Sequence, residues 1–184
     1  AAAADISPEI QELARGLRHD PKLIYDYVHN HIDYVPYFGS LKRATLTYLD
    51  GSGNDFDQAS LMIALLRASG YTGQYVFGTM TILGTTLSNW LGVNQIAQAI
   101  GTVLASGGIP IDALWSDGGA QFRRVWVKAT IDGVDYVFDP AFKSYTYTDK
   151  IDLGQVMSYS RNGLMAAVNS GATICTSSIS GCRL

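Results

Sequence analysis

The strongest apolar pattern in the chain runs from Ala59 to Ala68, where only Ser60 and Arg67 interrupt it. A helix that is apolar on nearly every face is packed on most sides, so this segment is expected to form the core that other elements cover. Gly70 stands where a helix ends in left-handed backbone, and Asn54, Asp55 and Asp57 offer side-chain oxygens to the unpaired N–H groups of a first turn. Such an N-terminus is strongly polarised, an arrangement that lowers the pKa of a nucleophile or holds an anion.

The patterns on either side predict the remaining elements. Ser7-Pro8 and Asp20-Pro21 each read as a cap followed by a first helical residue. Ile10, Leu13, Ala14 and Leu17 form the apolar stripe of the first helix, and Leu23, Ile24, Tyr27 and Val28 that of the second, which runs to about His31. Residues 32–52 are expected to be mostly loop, with Tyr34, Tyr37 and Phe38 either lining a groove or covering the end of the central helix. Gln74 to Phe77 is a strand that Thr81 to Leu83 extends or follows, and Trp90 to Ala105 is an amphipathic helix ended by Gly107-Gly108.

Arg124 to Ile131 and Val134 to Phe138 flank Asp132-Gly133, a two-residue hairpin signal. With that turn, Trp126 lies opposite Asp139. Arg124 becomes the diagonal neighbour of Asp139, with Cβ atoms within about 7–8 Å, which predicts an Arg124–Asp139 ion pair. Val125, Val127, Ala129 and Ile131 then point to the other, apolar face. Asp152 caps a helical stretch starting at Leu153, with Val156, Met157, Leu164 and Met165 as packing residues. The expected class is α+β: a buried central helix against a small antiparallel sheet, with added helices at the N-terminus, in an insertion and at the C-terminus. Residues 5–169 form the domain, and 170–184 a Ser/Thr/Gly-rich tail or linker that leads into a longer multidomain chain.

Composition narrows the function. At 184 residues, 47% of them hydrophobic, the chain is long enough for one domain with a proper core. Its 13 Lys and Arg against 16 Asp and Glu are scattered without the basic stripe that phosphate contacts require, which argues against nucleic acid. No apolar run reaches the roughly 18 residues that span a bilayer. Ala1 to Ala4 lacks the features of a signal peptide. The two cysteines, Cys175 and Cys182, share a short loop that closes as a small disulfide in an oxidising compartment, the alternative being two free thiols. The disulfide fits an extracellular, periplasmic or cell-surface location. Asp50-x-Ser52-x-Asn54 begins like a calcium loop, but Asp55 and Leu61 stand where Gly and Glu are needed, so no metal or other cofactor is expected.

Gly53-Asn54-Asp55-Phe56-Asp57-Gln58-Ala59 and the helix to Arg67-Ala68-Ser69-Gly70, followed by Tyr75-Val76-Phe77-Gly78, resemble the nucleophile helix of the transglutaminase-like superfamily. That pattern is Gly, one residue, Cys, then a long Ala/Leu-rich helix ending Arg-Ala-x-Gly. Arg124-Val125-Trp126-Val127 and Asp139-Pro140-Ala141-Phe142-Lys143 resemble the two segments that carry the family's His and Asp. The resemblance spans Pro8 to about Lys143 and implies a papain-like core. It places the Cys position on Asp55, the His position on Arg124 and the Asp position on Asp139. Residues 143–165 also resemble, less specifically, the segment after such domains in large bacterial Rhs or YD-repeat surface proteins.

A papain-type mechanism needs a thiolate attacker and a histidine that takes and returns the proton. Asp55 is a far weaker acyl nucleophile, and Arg124 stays protonated near neutrality. His19, His29 and His31 precede the central helix, whereas the family's base follows it, so they read as histidines of the surface or of the shell behind the site. On the structural reading Asp55 caps its own helix and pairs with Arg124. The expected function is therefore a catalytically degenerate module that binds a peptide, protein or glycan in the old cleft, with Asn54, Phe56, Trp126, Tyr34, Tyr37 and Phe38 as lining. One alternative is a hydrolase using paired carboxylates, Asp55 with Asp139 or Asp57, for example on glycans. The other is acyl transfer by a cysteine enzyme, if residue 55 is introduced or the correspondence is displaced.

Overall fold

The computed structural model describes residues 6–143, 152–158 and 160–171. The chain divides into two compact units, Ala1–Tyr145 and Thr146–Leu184. In the first, α1 (Pro8–Gly16) and α2 (Pro21–His31) begin where the sequence places them. Ser7 and Asp20 are the N-caps, and Ile10, Ala14, Ile24 and Val28 are buried. The central helix α4 (Asp55–Ala68) is buried on every side, and its one cationic side chain, Arg67, reaches the Gly73 carbonyl. It ends in a Schellman turn: Gly70 sits at φ 86°, Gly70 N–H bonds the Arg67 carbonyl and Tyr71 N–H the Leu66 carbonyl.

Residues 32–52 are not mostly loop. They form β1 (Asp33–Tyr34), α3 (Arg43–Asp50) and, just beyond, β2 (Ser52–Gly53), which pairs in parallel with β1. Helix α3 has no side-chain cap and carries two β-branched threonines, so local propensity does not announce it. Packing on α4 holds it, through buried Ala44 and Thr47. Gly53 follows from that packing, because a Cβ there would lie 3.0 Å from Asp57 Cβ and 3.1 Å from Thr47 Cγ2.

The sheet has the order β3-β5-β4, with β6 also on β5. β3 (Thr72–Ile82) is one continuous strand antiparallel to β5 (Ala120–Ile131). β4 (Ile111–Leu114), which the sequence pattern did not reveal, pairs with the start of β5, and β6 (Val134–Phe138) with its end. The hairpin turn is as expected, with Asp132 and Gly133 both at positive φ and Ile131 opposite Val134. The helix expected over Trp90 to Ala105 is instead two, α5 (Gly84–Leu91) and α6 (Ala97–Ser106). The break is at Gly92, whose left-handed backbone (φ 68°) caps α5.

β5 changes its buried side midway. Val125, Val127 and Ala129 pack with α4, whereas Ala120 and Phe122, on the opposite face, pack with Leu87, Trp90, Ile100 and Leu104 of α5 and α6. Arg124 and Val125 mark the exchange. One strand thereby serves two cores, and the residue that closes the second core is charged.

In the second unit, α7 (Leu153–Val156) is capped by Asp152, whose carboxylate accepts the Gly154 N–H at 2.9 Å, and α8 (Arg161–Gly171) follows Ser160. Val156, Met157, Leu164 and Met165, expected as packing residues, are exposed. A four-residue and an eleven-residue helix are too short to bury an apolar stripe by themselves. Cys175 and Cys182 lie outside the described residues. No helix among the described residues is long and apolar enough to cross a membrane.

Candidate functional site

Asp55, Arg124 and Asp139 come together where α4 meets β5 and the end of β6. Arg124 is 1% exposed and makes a bidentate pair with Asp139: Nη1 to Oδ2 at 2.8 Å and Nη2 to Oδ1 at 2.9 Å. The diagonal relation across the hairpin is therefore realised as the ion pair the register predicts. Nη1 also lies 3.2 Å from the Met80 sulfur, and the guanidinium carbon stacks 4.5 Å from the Trp90 ring centre and 5.7 Å from that of Phe142. Trp90 is itself fixed by Nε1–H donating to the Ala141 carbonyl at 3.0 Å.

Asp55 behaves differently from the expectation. It does not cap its own helix. The cap is Asn54, whose Oδ1 accepts the Asp57 N–H while Nδ2 donates to the carbonyls of Tyr37 and Gly39. The Asp55 carboxylate instead accepts the Val125 N–H at 2.8 Å, reaching sideways to β5. Its nearest approach to Arg124 is 4.0 Å, Oδ2 to Nε, and that Nε has no hydrogen-bond partner among the described residues. The geometric reason is the fork. Arg124 spends both terminal nitrogens on Asp139, and this leaves its Nε turned towards Asp55 from too far for a hydrogen bond. Burial pushes the Asp55 carboxyl above its usual range, while Arg124 and the Val125 N–H pull it back.

Asp57, in the same helical turn, holds the preceding loop: it accepts from Tyr37 Oη (2.5 Å), Ser40 Oγ, Leu41 N and Lys42 N. Tyr37 and Asn54 are thus loop anchors and not free cleft residues. Phe38 and Phe56 meet edge to face with ring centres 5.2 Å apart, and Phe56 lies 6.4 Å from exposed Phe77, an aromatic row beside the helix start. Trp126 is half-buried across β3, where a Cβ on Gly78 would lie 2.5 Å from its ring; only glycine leaves room. Tyr34 stacks on Trp90 at 4.4 Å, and burial raises its phenol pKa.

Four contributors to the site were not assigned a role from sequence: Met80, Trp90, Phe142 and Lys143. Lys143 Nζ donates to the carbonyls of Val28 (3.0 Å), His29 (2.7 Å) and Pro140 (2.6 Å) and to Gln58 Oε1 (2.8 Å). It clasps the C-terminal end of α2 to α4, and burial lowers its pKa to about 7. His29 bonds the Phe142 carbonyl at 3.1 Å, His19 bonds Ser69 Oγ, and His31 packs on Tyr27, so none of the three contacts Asp55 or Arg124. No cluster of ligating side chains suited to a metal occurs among the described residues.

A model of the transglutaminase-like superfamily core matches residues 5–137. The chain belongs to the transglutaminase-like superfamily. Positions 55 and 124 fall inside the matched span of this transglutaminase-like domain, and Asp139 lies just beyond it. Comparison with curated proteins finds no match. Among solved structures, the domain is similar to a candidate cysteine protease from Cytophaga hutchinsonii, with 19% identity and a TM-score of 0.45 over 74% of this chain and 38% of that one. A candidate protease from Parabacteroides distasonis shows 17% identity and a TM-score of 0.42 over 71% and 22%. The chain therefore spans well under half the length of either structure.

Proposed function

We propose that this transglutaminase-like domain is a non-catalytic binding or assembly module, carried by an exported bacterial protein of the Rhs or YD-repeat kind and recognising a peptide, protein or glycan. The observation that carries the reading is the bidentate pair of Arg124, 1% exposed, with Asp139 at the posts of proton carrier and orienter. A guanidinium locked in that pair cannot take a proton, and Asp55, 5% exposed and bonded to the Val125 N–H, has neither a thiol's nucleophilicity nor a base beside it. Carboxylate hydrolysis is disfavoured by the same pair, because Asp139 is ion-paired with Arg124 through both oxygens and its Oδ1 already accepts from Arg124 Nη2 and from the Phe142 N–H. Acyl transfer needs the thiol and imidazole that these positions lack.

The test is turnover by the purified chain. Glutamine-donor proteins with a labelled amine, and peptide amides, are expected to give no product above buffer. Product formation that Asp55→Asn abolishes overturns the reading. A double variant, Asp55→Cys with Arg124→His, is expected to remain inactive because residue 55 stays buried.

A further inference from the structure

A cavity of about 490 Å³ opens beside the end of α2 and is lined by His29, Asn30, Asp33, Tyr34, Trp90 and Lys143, with none of Asp55, Arg124 or Asp139 in its wall. That volume falls within the roughly 300–1,000 Å³ of small-molecule sites. Its walls are fixed. Lys143 is held by four oxygens, His29 by the Phe142 carbonyl, Tyr34 by stacking on Trp90 and by the β1–β2 pairing, and Trp90 by the Ala141 carbonyl. Two polar groups in the wall are left over. Among the described residues neither the Asp33 carboxylate nor the Tyr34 hydroxyl has a hydrogen-bond partner, although the backbone carbonyl of Asp33 is used by Gln58.

The charge pattern selects the ligand class. Asp33 and Lys143 line one pocket, so an anion meets the carboxylate and, at or below the Lys143 pKa of about 7, a cation meets the ammonium. Lys143 directs its protons at protein oxygens, so the free polar groups are the acceptor oxygens of Asp33 and the Tyr34 hydroxyl, which both donates and accepts. A neutral ligand with several hydroxyls and one apolar face satisfies these groups, with hydroxyls on Asp33, Tyr34 and the part of the Asn30 amide that His29 Nδ1, 3.0 Å from Asn30 Oδ1, leaves free, and the apolar face against aromatic carbon. We propose that this pocket binds a neutral saccharide through Asp33, Asn30 and Tyr34. The assignment rests on the binding-module reading above and places its ligand beside the degenerate triad, with Trp90 shared by the two.

The experiment is saturation-transfer NMR on the full chain with neutral malto-, cello-, xylo- and N-acetylchito-oligosaccharides. At least one set is expected to receive saturation, and Asp33→Ala, at an exposed side chain, is expected to weaken it by about tenfold or more, as is Tyr34→Ala where its melting curve shows that it folds. The proposal is overturned if none of the four sets binds, if binding survives Asp33→Ala, or if an anionic saccharide binds more tightly than its neutral counterpart. Absence of sugar binding together with absence of amide turnover removes the pocket assignment alone, whereas amide turnover removes the binding-module reading whatever the sugars do.

Discussion

Arg124 and Lys143 are both cations withdrawn from water in the first unit, and their surroundings differ. Arg124 is fully buried, closed in by Trp90, Phe142 and Met80, and its charge is answered by a carboxylate in fork geometry. Lys143 is half-buried, and its acceptors are three backbone carbonyls and one amide oxygen, all neutral. A planar guanidinium can share its charge with one carboxylate and stack on aromatic rings at the same time. A compact ammonium has no such fork, and without a carboxylate in contact it depends on dipoles. The second arrangement is sensitive to pH.

The comparison breaks most visibly at Asp139. Asp139→Ala leaves Arg124 buried with only a carboxylate 4.0 Å away, and loss of one partner of a buried pair costs about 3–5 kcal/mol. Because the Asp139 side chain retains 23% exposure, the lower end applies. We expect a loss of about 3 kcal/mol in urea unfolding, read also as a fall in Tm of roughly 6–12 °C. A change within 1 °C would mean that water or Asp55 replaces Asp139 without cost.

Next in size is Lys143→Met, which keeps the stem and removes the donors. The carbonyls of Val28, His29 and Pro140 and the Gln58 oxygen then lose a shared partner, at a cost of about 1–3 kcal/mol. The pH dependence gives a second readout. With the folded pKa near 7 and the ordinary value at 10.5, the unfolded chain binds more protons between those values. Stability should therefore rise with pH across that window on account of Lys143. Urea midpoints from pH 6.5 to 9.5 should climb more steeply for the native chain than for the Met variant; parallel curves would show that the carbonyls hold the ammonium charged throughout.

These same residues show what the sequence makes legible. The two-residue turn at Asp132-Gly133 fixes register, and register fixes that Arg124 can reach Asp139, so one ion pair follows from counting. The buried helix α4 and its ends follow as well, because period, cap and glycine agree locally. Helix α3 did not, since a threonine-rich segment without a cap is held only by what it packs on. Nor did the break between α5 and α6, where an apolar stripe runs past Gly92 and only the left-handed backbone there interrupts it. The partners of Arg124 that come from α5 and from the turn after Asp139 lie 34 and 18 residues from it in the chain, and nothing local points to them. Asp55 was placed at the right site with the wrong partner: a carboxylate beside a helix start suggests a cap, while the neighbouring Asn54 already fills that role.

The smallest effect, and the one that sharpens the comparison most, is expected at Asp55. It stands closest to Arg124 after Asp139, yet it makes no hydrogen bond to it, and burial raises its pKa. A carboxyl whose folded pKa is raised contributes stability that is complete below its unfolded value and lost as pH rises through the folded one. The charged form is therefore a cost that Arg124 only partly offsets. Asp55→Asn removes the charge and keeps an oxygen for the Val125 N–H, so its stability at pH 7 should equal or slightly exceed that of the native chain, within about 1 kcal/mol. Asp139→Asn, the same chemical change at the other carboxylate, should destabilise. If Asp55→Asn costs as much as Asp139→Asn, Arg124 is held by both carboxylates equally and the site is a three-membered ionic cluster, in which the fork to Asp139 has no privileged place.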